Sequence, residues 1–250
     1  MPKFSWLAQV RHRLQASKRR APTEQRLLAE SLEQRTYLSV SSLLVDNHLT
    51  IVADSDEALQ IRLDPANAAN VQLLVNGVSN NSLPTVRASQ LQALTILGGQ
   101  GNNLINVNAI TSAAFSYADP VTGQRLQIRV DGGNGEDTLV GSQGFNDSLF
   151  GGHGDDQINV APTMPILVGQ TLHGDDGNDL IIGGPGGDTI EAGDGIDSVT
   201  GGAGDDVISG GDGNDLLNGS GDNDSIRGGQ GLDTILGGVG NDTLVGRVGE

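Results

Sequence analysis

Aspartate recurs at nine-residue intervals near the end of this chain, as Asp179, Asp188, Asp197, Asp206, Asp215, Asp224, Asp233 and Asp242. A carboxylate repeated at fixed spacing is an oxygen donor for a hard cation. Calcium takes about six to eight oxygens in flexible geometry, so two aspartates plus turn carbonyls suit it better than magnesium, which demands a strict octahedron. Zinc finds no cysteine, and no suitably spaced pair among His12, His48, His153 and His173.

Cation binding requires that the carboxylates meet. If two nine-residue units complete one turn of a flattened parallel coil, units 18 residues apart stack at strand spacing, about 4.8 Å. The pairs are then Asp179 with Asp197, Asp188 with Asp206, Asp197 with Asp215, Asp206 with Asp224, Asp215 with Asp233, and Asp224 with Asp242, in rows along two edges. Bare carboxylates at that distance repel by about 1 kcal/mol even in water, and more where solvent is excluded. A cation between them reverses the sign.

The elements that position them are visible in the blocks GDDGNDLII, GGPGGDTIE, AGDGIDSVT, GGAGDDVIS, GGDGNDLLN, GSGDNDSIR, GGQGLDTIL and GGVGNDTLV, which run from Gly174 to Val245 without a gap. Each approximates G-G-x-G-x-D-x-U-x, with U a large aliphatic residue. Glycine permits the tight turn, and the triplet x-U-x alternates faces, so U points inward. The inward residues are Ile181, Ile190, Val199, Ile208, Leu217, Ile226, Ile235 and Leu244. One aliphatic residue per nine is a thin core, so the array is expected to be largely unfolded without calcium and to fold on binding it.

These blocks resemble the RTX, or haemolysin-type, calcium-binding nonapeptide repeats of bacterial secreted proteins. The resemblance implies an all-β fold, a parallel β-roll or β-solenoid, binding several Ca2+ ions. It also implies export by a type I secretion system, with a secretion apparatus or cell-surface component as partner and a secreted, extracellular or cell-surface location. Good blocks recur upstream as GGNGEDTLV (Gly132–Val140) and GGHGDDQIN (Gly151–Asn159), where Asp137 and Asp156 are expected to face each other across the coil. The metal-ligating set is therefore Asp137, Asp156 and the eight aspartates of the array. Between the two good blocks GSQGFNDSLF displaces its aspartate to Asp147, while Pro165–His173 carries Gln170 and Gly98–Asn106 carries Asn103 where aspartate belongs. These three look like coils that bind metal weakly or not at all.

Further upstream, the alternation at Leu126, Ile128 and Val130 after D-P-V-T-G predicts a β-hairpin or a widened coil. HLTIVAD, LQIRL and VQLLVNGVS read as short strands, with Asn76-Gly77 as a hairpin turn, in a region that caps the roll. The first 35 residues hold eight of the 14 basic residues, whereas 22 acids against Arg227 and Arg247 follow from Asp131 onward. Pro22-Thr23 opens a short helix through Arg35, and Leu32–Ser39 (LEQRTYLS) resembles the LEPR-type leader of some bacterial extracellular proteins, with Gln34 in place of its proline; an amphipathic helix leading into a strand is the alternative. The chain therefore divides into a basic leader, helical or disordered (1–36), a degenerate strand and cap region (37–131) and the calcium-binding roll (132–250).

A net charge of −17 argues against nucleic acid as a partner. No apolar stretch of signal-peptide or transmembrane length occurs. No H-E-x-x-H, G-x-S-x-G or P-loop pattern is present, so the expected function is non-enzymatic. The alternatives are a surface adhesion or matrix spacer presenting an N-terminal ligand-binding region, or a truncated fragment of an RTX toxin or enzyme. The unfinished block Gly246–Glu250 favours the last.

Overall fold

A computed structural model describes residues 40–53, 56–80, 85–113, 115, 125–159 and 168–247. The expected helix from Pro22 to Arg35, the leader string, the D-P-V-T-G turn and the last three residues lie outside them. Turn chemistry opens the fold. β1 (Ser41–Val45) and β2 (His48–Val52) form an antiparallel hairpin through Asp46 and Asn47, both at positive φ. β3 (Ala58–Asp64), β4 (Asn67–Val75) and β5 (Val78–Ser79) form an antiparallel set, and the predicted Asn76-Gly77 turn closes its second hairpin with both residues at positive φ.

After a 3-10 turn at Ala88–Gln90, every described strand runs parallel to its neighbours. They are β6 (Ala93–Leu97), β7 (Leu104–Asn106), β8 (Gln127–Asn134), β9 (Thr138–Val140), β10 (Asp147–His153), β11 (Gln157–Asn159) and β12 (Thr171–Asp176), followed by the strands of the array. The latter are β13 (Leu180–Pro185), β14 (Thr189–Asp194), β15 (Ser198–Ala203), β16 (Val207–Asp212), β17 (Leu216–Gly221), β18 (Ser225–Gln230), β19 (Thr234–Val239) and β20 (Thr243–Arg247). From β6 onward even-numbered strands build a first sheet, begun by β1 and β2, and odd-numbered strands build a second, begun by β5, β4 and β3. This is a parallel β-roll, as the repeats predict. No α-helix occurs among the described residues, and no helix is long and apolar enough to cross a membrane.

Two expectations change. The strands of the array from β13 to β19 are six residues long rather than three, because the last three positions of one block and the first three of the next form one extended run. Within it the aliphatic residue and the first glycine of the next block both face inward, and the missing side chain of that glycine hides the alternation from a reader of the sequence. The hairpin alternative for Leu126–Val130 fails as well: β8 pairs parallel with both β6 and β10 and is a strand of the roll.

The core is two facing columns. Ile51, Ile96, Val130, Leu149, Leu172, Ile190, Ile208 and Ile226 are buried from the first sheet, and Leu59, Ile105, Leu139, Ile158, Ile181, Val199 and Leu217 from the second. Each contributes about 1.5 to 3 kcal/mol by leaving water. Ile235 is only partly buried and Leu244 is 47% exposed, because β19 and β20 are covered by a neighbouring coil on one side alone.

Parallel stacking does not start at Gly132 but reaches back to β2 and β3, which pair with β6 and β7. The coils differ in how they spend residues. On the forward edge, where the chain passes from the first sheet to the second, nine residues separate Ile96 from Ile105, Val130 from Leu139, Leu149 from Ile158 and every later inward pair. On the return edge the step is 37 from Leu59 to Ile96, 25 from Ile105 to Val130, 10 from Leu139 to Leu149 and 14 from Ile158 to Leu172, and becomes nine from Ile181 onward. From Ile96 onward, every step longer than nine residues falls on the return edge.

Candidate metal centre

Each turn ends in its aspartate immediately before a strand begins, which plants the carboxylate under the roll's rim. The six predicted pairs come together through one repeated contact: Oδ1 of the later aspartate accepts the backbone N–H of the earlier one. The bonds run from Asp179 to Asp197 (2.8 Å), Asp197 to Asp215 (3.0 Å) and Asp215 to Asp233 (3.2 Å) on the forward edge. On the return edge they run from Asp188 to Asp206 (2.8 Å), Asp206 to Asp224 (2.9 Å) and Asp224 to Asp242 (3.0 Å). Asp137 and Asp156 do not face each other across the coil. They stand one coil apart on the forward edge and extend its row, Asn103 donating to Asp137 (2.6 Å), Asp137 to Asp156 (2.7 Å) and Asp156 to Asp179 (2.8 Å).

The second carboxylate oxygen is the unusual one. Oδ2 of Asp137, Asp156, Asp179, Asp188, Asp197, Asp206, Asp215, Asp224 and Asp233 is buried with no hydrogen-bond partner. An acceptor stripped of water without a donor is costly. Glycine opens eight of these nine blocks, Ala192 opening that of Asp197, and leaves room for Oδ2: a Cβ at Gly183 would overlap Oδ2 of Asp188 and the carbonyl oxygen of Gly201 in the next coil. For Asp137, Asp156, Asp179, Asp188, Asp206, Asp215 and Asp224, a carbonyl oxygen of the next coil borders the same space as Oδ2, an arrangement that suits a cation better than another acceptor. Among the described residues no three acidic, histidine or cysteine side chains gather as a metal cluster. The donors on offer are single carboxylates from successive coils together with backbone carbonyls, an all-oxygen set that fits calcium.

Electrostatics agree. Burial pushes the carboxyls of Asp137, Asp179, Asp188 and Asp197 up to about 6 and those of Asp156 and Asp206 up to about 7, against the pull of the hydrogen bond from the preceding turn. For Asp156 and Asp206, neighbouring aspartates along the row add to the rise. Asp215 and Asp224 are raised too, again chiefly by burial.

The three deviant turns behave differently. Asn103 accepts the N–H of Glu57 with Oδ1 (3.1 Å), and its amide nitrogen donates to the carbonyl of Gly101 (2.8 Å). Gln170 accepts the N–H of Asp147 with Oε1 (2.6 Å), and its nitrogen donates to the carbonyls of Val168 and Phe145, both at 2.9 Å. Asp147 keeps its place in the return row, but both its oxygens are taken by Ser142, through the backbone N–H and through Oγ at 2.8 Å.

Sequence reasoning missed Ser142 and a second, outer set of contacts at the residue before several of the aspartates. There the side chain of the earlier coil accepts the N–H of the later one: Asn178 from Ile196 (2.8 Å), Asn214 from Leu232 (2.7 Å), Asp205 from Asn223 (2.9 Å) and Asn223 from Asn241 (3.0 Å). The recurrence of Asn-Asp in the blocks was the available signal. The histidines take no part in the rows. His153 Nδ1 lies 2.6 Å from Asp176 on the rim, and His173, on the outer face of β12 rather than in a turn, stacks on Phe150 at 4.6 Å.

The family described as RTX calcium-binding nonapeptide repeat (4 copies) matches residues 131–161, 170–199, 182–217, 191–226 and 218–250. No curated protein and no solved structure matches the chain. The unmatched gap between 161 and 170 falls in the coil whose return step is 14 residues, where the period breaks. Stacked glycine turns, rows of carboxylates and the family match agree: residues 131–250 carry RTX calcium-binding nonapeptide repeats.

Proposed function

We propose that this is a non-enzymatic calcium-binding repeat protein, secreted or displayed at the cell surface, whose roll folds as calcium binds between its stacked turns. The observation that carries the reading is the set of nine buried Oδ2 oxygens without a donor. Calcium, when bound, supplies the positive charge that those oxygens lack. The residues that hold it are Asp137, Asp156, Asp179, Asp188, Asp197, Asp206, Asp215, Asp224, Asp233 and Asp242, with carbonyl oxygens of the glycine turns completing the shell.

The chain's own groups do the rest. Oδ1 of each aspartate fixes the preceding turn, the opening glycine leaves room for Oδ2, and the aliphatic residue anchors the strand beneath. Without the ion the same rows oppose folding, since each coil adds a buried carboxylate to a row of like charges. Metal affinity then becomes folding free energy. RTX repeat proteins are typically extracellular, and the absence of cysteine leaves calcium in the stabilising role that disulfides fill in many secreted proteins.

Far-ultraviolet circular dichroism in chelator and then in millimolar calcium tests this. Strand signal should be weak in chelator and should appear cooperatively with calcium, and calorimetry should count several ions per chain. Equal strand signal in both conditions rules out folding on binding, and one ion or none rules out the rows as sites.

A further inference from the structure

We propose that Asn103 and Gln170 are internal substitutes for the cation, whose side-chain amides take its place and so set where each metal row stops. The proposal rests on the reading of the aspartate rows as calcium sites. It starts from a comparison within the chain. At the aspartate position, Oδ1 accepts the backbone N–H of the preceding turn, and Asn103 Oδ1 and Gln170 Oε1 make that same contact, with Glu57 and Asp147. The first arm of the side chain is therefore equivalent in aspartate and amide turns.

The second arm differs only in its chemistry. In nine aspartate turns it is an acceptor with no partner. In the two amide turns it is an NH2 group, and both times it donates to the carbonyl two residues earlier, Gly101 for Asn103 and Val168 for Gln170. That carbonyl belongs to the fourth position of the block, a glycine in most aspartate turns. Where the side chain ends in nitrogen, an N–H joins it to the turn's carbonyl. Where it ends in an ionised oxygen, there is no hydrogen to share, and a positive ion can join the two.

Gln170 is one methylene longer than asparagine and reaches further. Its nitrogen also donates to the carbonyl of Phe145 in the preceding turn of the same edge, so one amide spans the interval between two coils. Gln170 is 5% exposed, and Asn103 is 2% exposed. A buried amide with its donors and acceptor satisfied is at home, whereas a merely tolerated substitution has no reason to aim its nitrogen at the turn carbonyls.

The consequence is a map of the rows. On the forward edge five intervals join Asp137 to Asp233, and Asn103 closes the row. On the return edge three intervals join Asp188 to Asp242, and Gln170 cuts off Asp147, whose oxygens Ser142 already satisfies. The upstream coils are thereby held together without metal, and the downstream coils with it.

The test counts calcium bound per chain at saturating calcium, by native mass spectrometry, for the wild type, Asn103→Asp and Gln170→Glu. Each substitution exchanges an amide for a carboxylate at nearly constant size. Each variant should bind one ion more than the wild type, and the double variant two more. A wild type that binds several ions, with no gain in either variant, overturns the amide role alone; a wild type that binds none overturns the rows and the amide role together. Should Gln170→Glu lose its strand signal, Asn103→Asp decides independently. A second readout needs no variant: in the calcium-loaded protein the side-chain amide protons of Gln170 should exchange far more slowly than those of exposed Gln230. Equal exchange rates overturn the proposal.

Discussion

The two edges of the roll are made from the same blocks yet obey different rules. The forward edge keeps a nine-residue step through every coil from Ile96 to Ile235, and its row of turns runs unbroken from Asn103 to Asp233. The return edge absorbs every insertion, and Gln170 interrupts its row after Asp147. Charge follows the same division. The third position of the forward turns stacks His153, Asp176, Asp194, Asp212 and Gln230, while that of the return turns stacks Pro185, Ala203, Gly221 and Val239. A constant step suits a row of shared ligands: in the turn with a single extra residue, from Leu139 to Leu149, Asp147 gives both oxygens to Ser142 instead of to a neighbouring coil. The edge with insertions is therefore the edge with the shorter uninterrupted row.

The largest expected effect that could break this contrast is an insertion. Gly-Ser-Gly placed between Asp194 and Gly195, on the forward edge, should abolish calcium-dependent strand signal in the coils beside it. The same insertion between Thr163 and Met164, in the return step of 14 residues from Ile158 to Leu172, should cost less than about 1 kcal/mol, since lengthening a connection already longer than nine adds little closure entropy. Comparable losses at the two places would erase the distinction.

Removing a carboxylate comes next. Asp206→Ala takes an aspartate shared by two pairs and should weaken calcium binding by at least about tenfold, more than Asp242→Ala, which belongs to one. Calorimetric titration of the two variants would show it, and equal losses would argue against pairwise sharing along a row. Gly201→Ala should act at the same site without touching a carboxylate, because its Cβ would overlap Oδ2 of Asp206. A loss of about 1 to 3 kcal/mol in calcium-loaded stability is expected from denaturant unfolding.

Acidification in chelator gives a smaller effect, with a sign opposite to ordinary acid unfolding. The folded roll holds the carboxyls of Asp137, Asp179, Asp188 and Asp197 at about 6 and those of Asp156 and Asp206 at about 7. An unfolded chain releases those protons near pH 3.9, so the folded state binds protons more tightly between the two values. This contribution is fully present below about pH 4 and is lost as pH rises through 6 and 7. Calcium-free protein should gain strand signal when taken from pH 7.5 to 5, and a falling signal would contradict it. Four of these six carboxyls stand on the forward edge, which should dominate the change.

The smallest effect concerns backbone strain on the return edge. Ser220 sits at φ 83 where the other return-edge blocks of the array place Gly184, Gly202 and Gly238. Ser220→Gly should stabilise the loaded roll by about 1 kcal/mol, read as a shift in the thermal midpoint. No shift would mean that the hydroxyl compensates for the strain.

The sequence made the repeating part legible because one period governs everything there. Asp179 to Asp242, their partners 18 residues away and the inward aliphatics from Ile181 to Ile226 all follow from the register. Three features escaped it, each for a physical reason. The inward face of the first glycine has no side chain to reveal it. The upstream coils keep the geometry of the roll but lose its period, since the return edge lets loops of different length escape, so Ile96 and Val130 gave no sign of stacking in one column. Asn103 and Gln170 looked like faults in a motif, because a sequence shows the lost charge and conceals what the amide nitrogen reaches.

The inner row of hydrogen bonds also has a polarity. Every backbone N–H at the aspartate position donates toward the coil that follows it in the chain, from Asn103 to Asp137 and onward to Asp233. The outer set runs the other way, the N–H of Ile196, Asn223 and Leu232 donating back to the coil before. Like a filament with unlike tips, the inner row has two different ends, and each coil in it carries the acceptor that answers the one before.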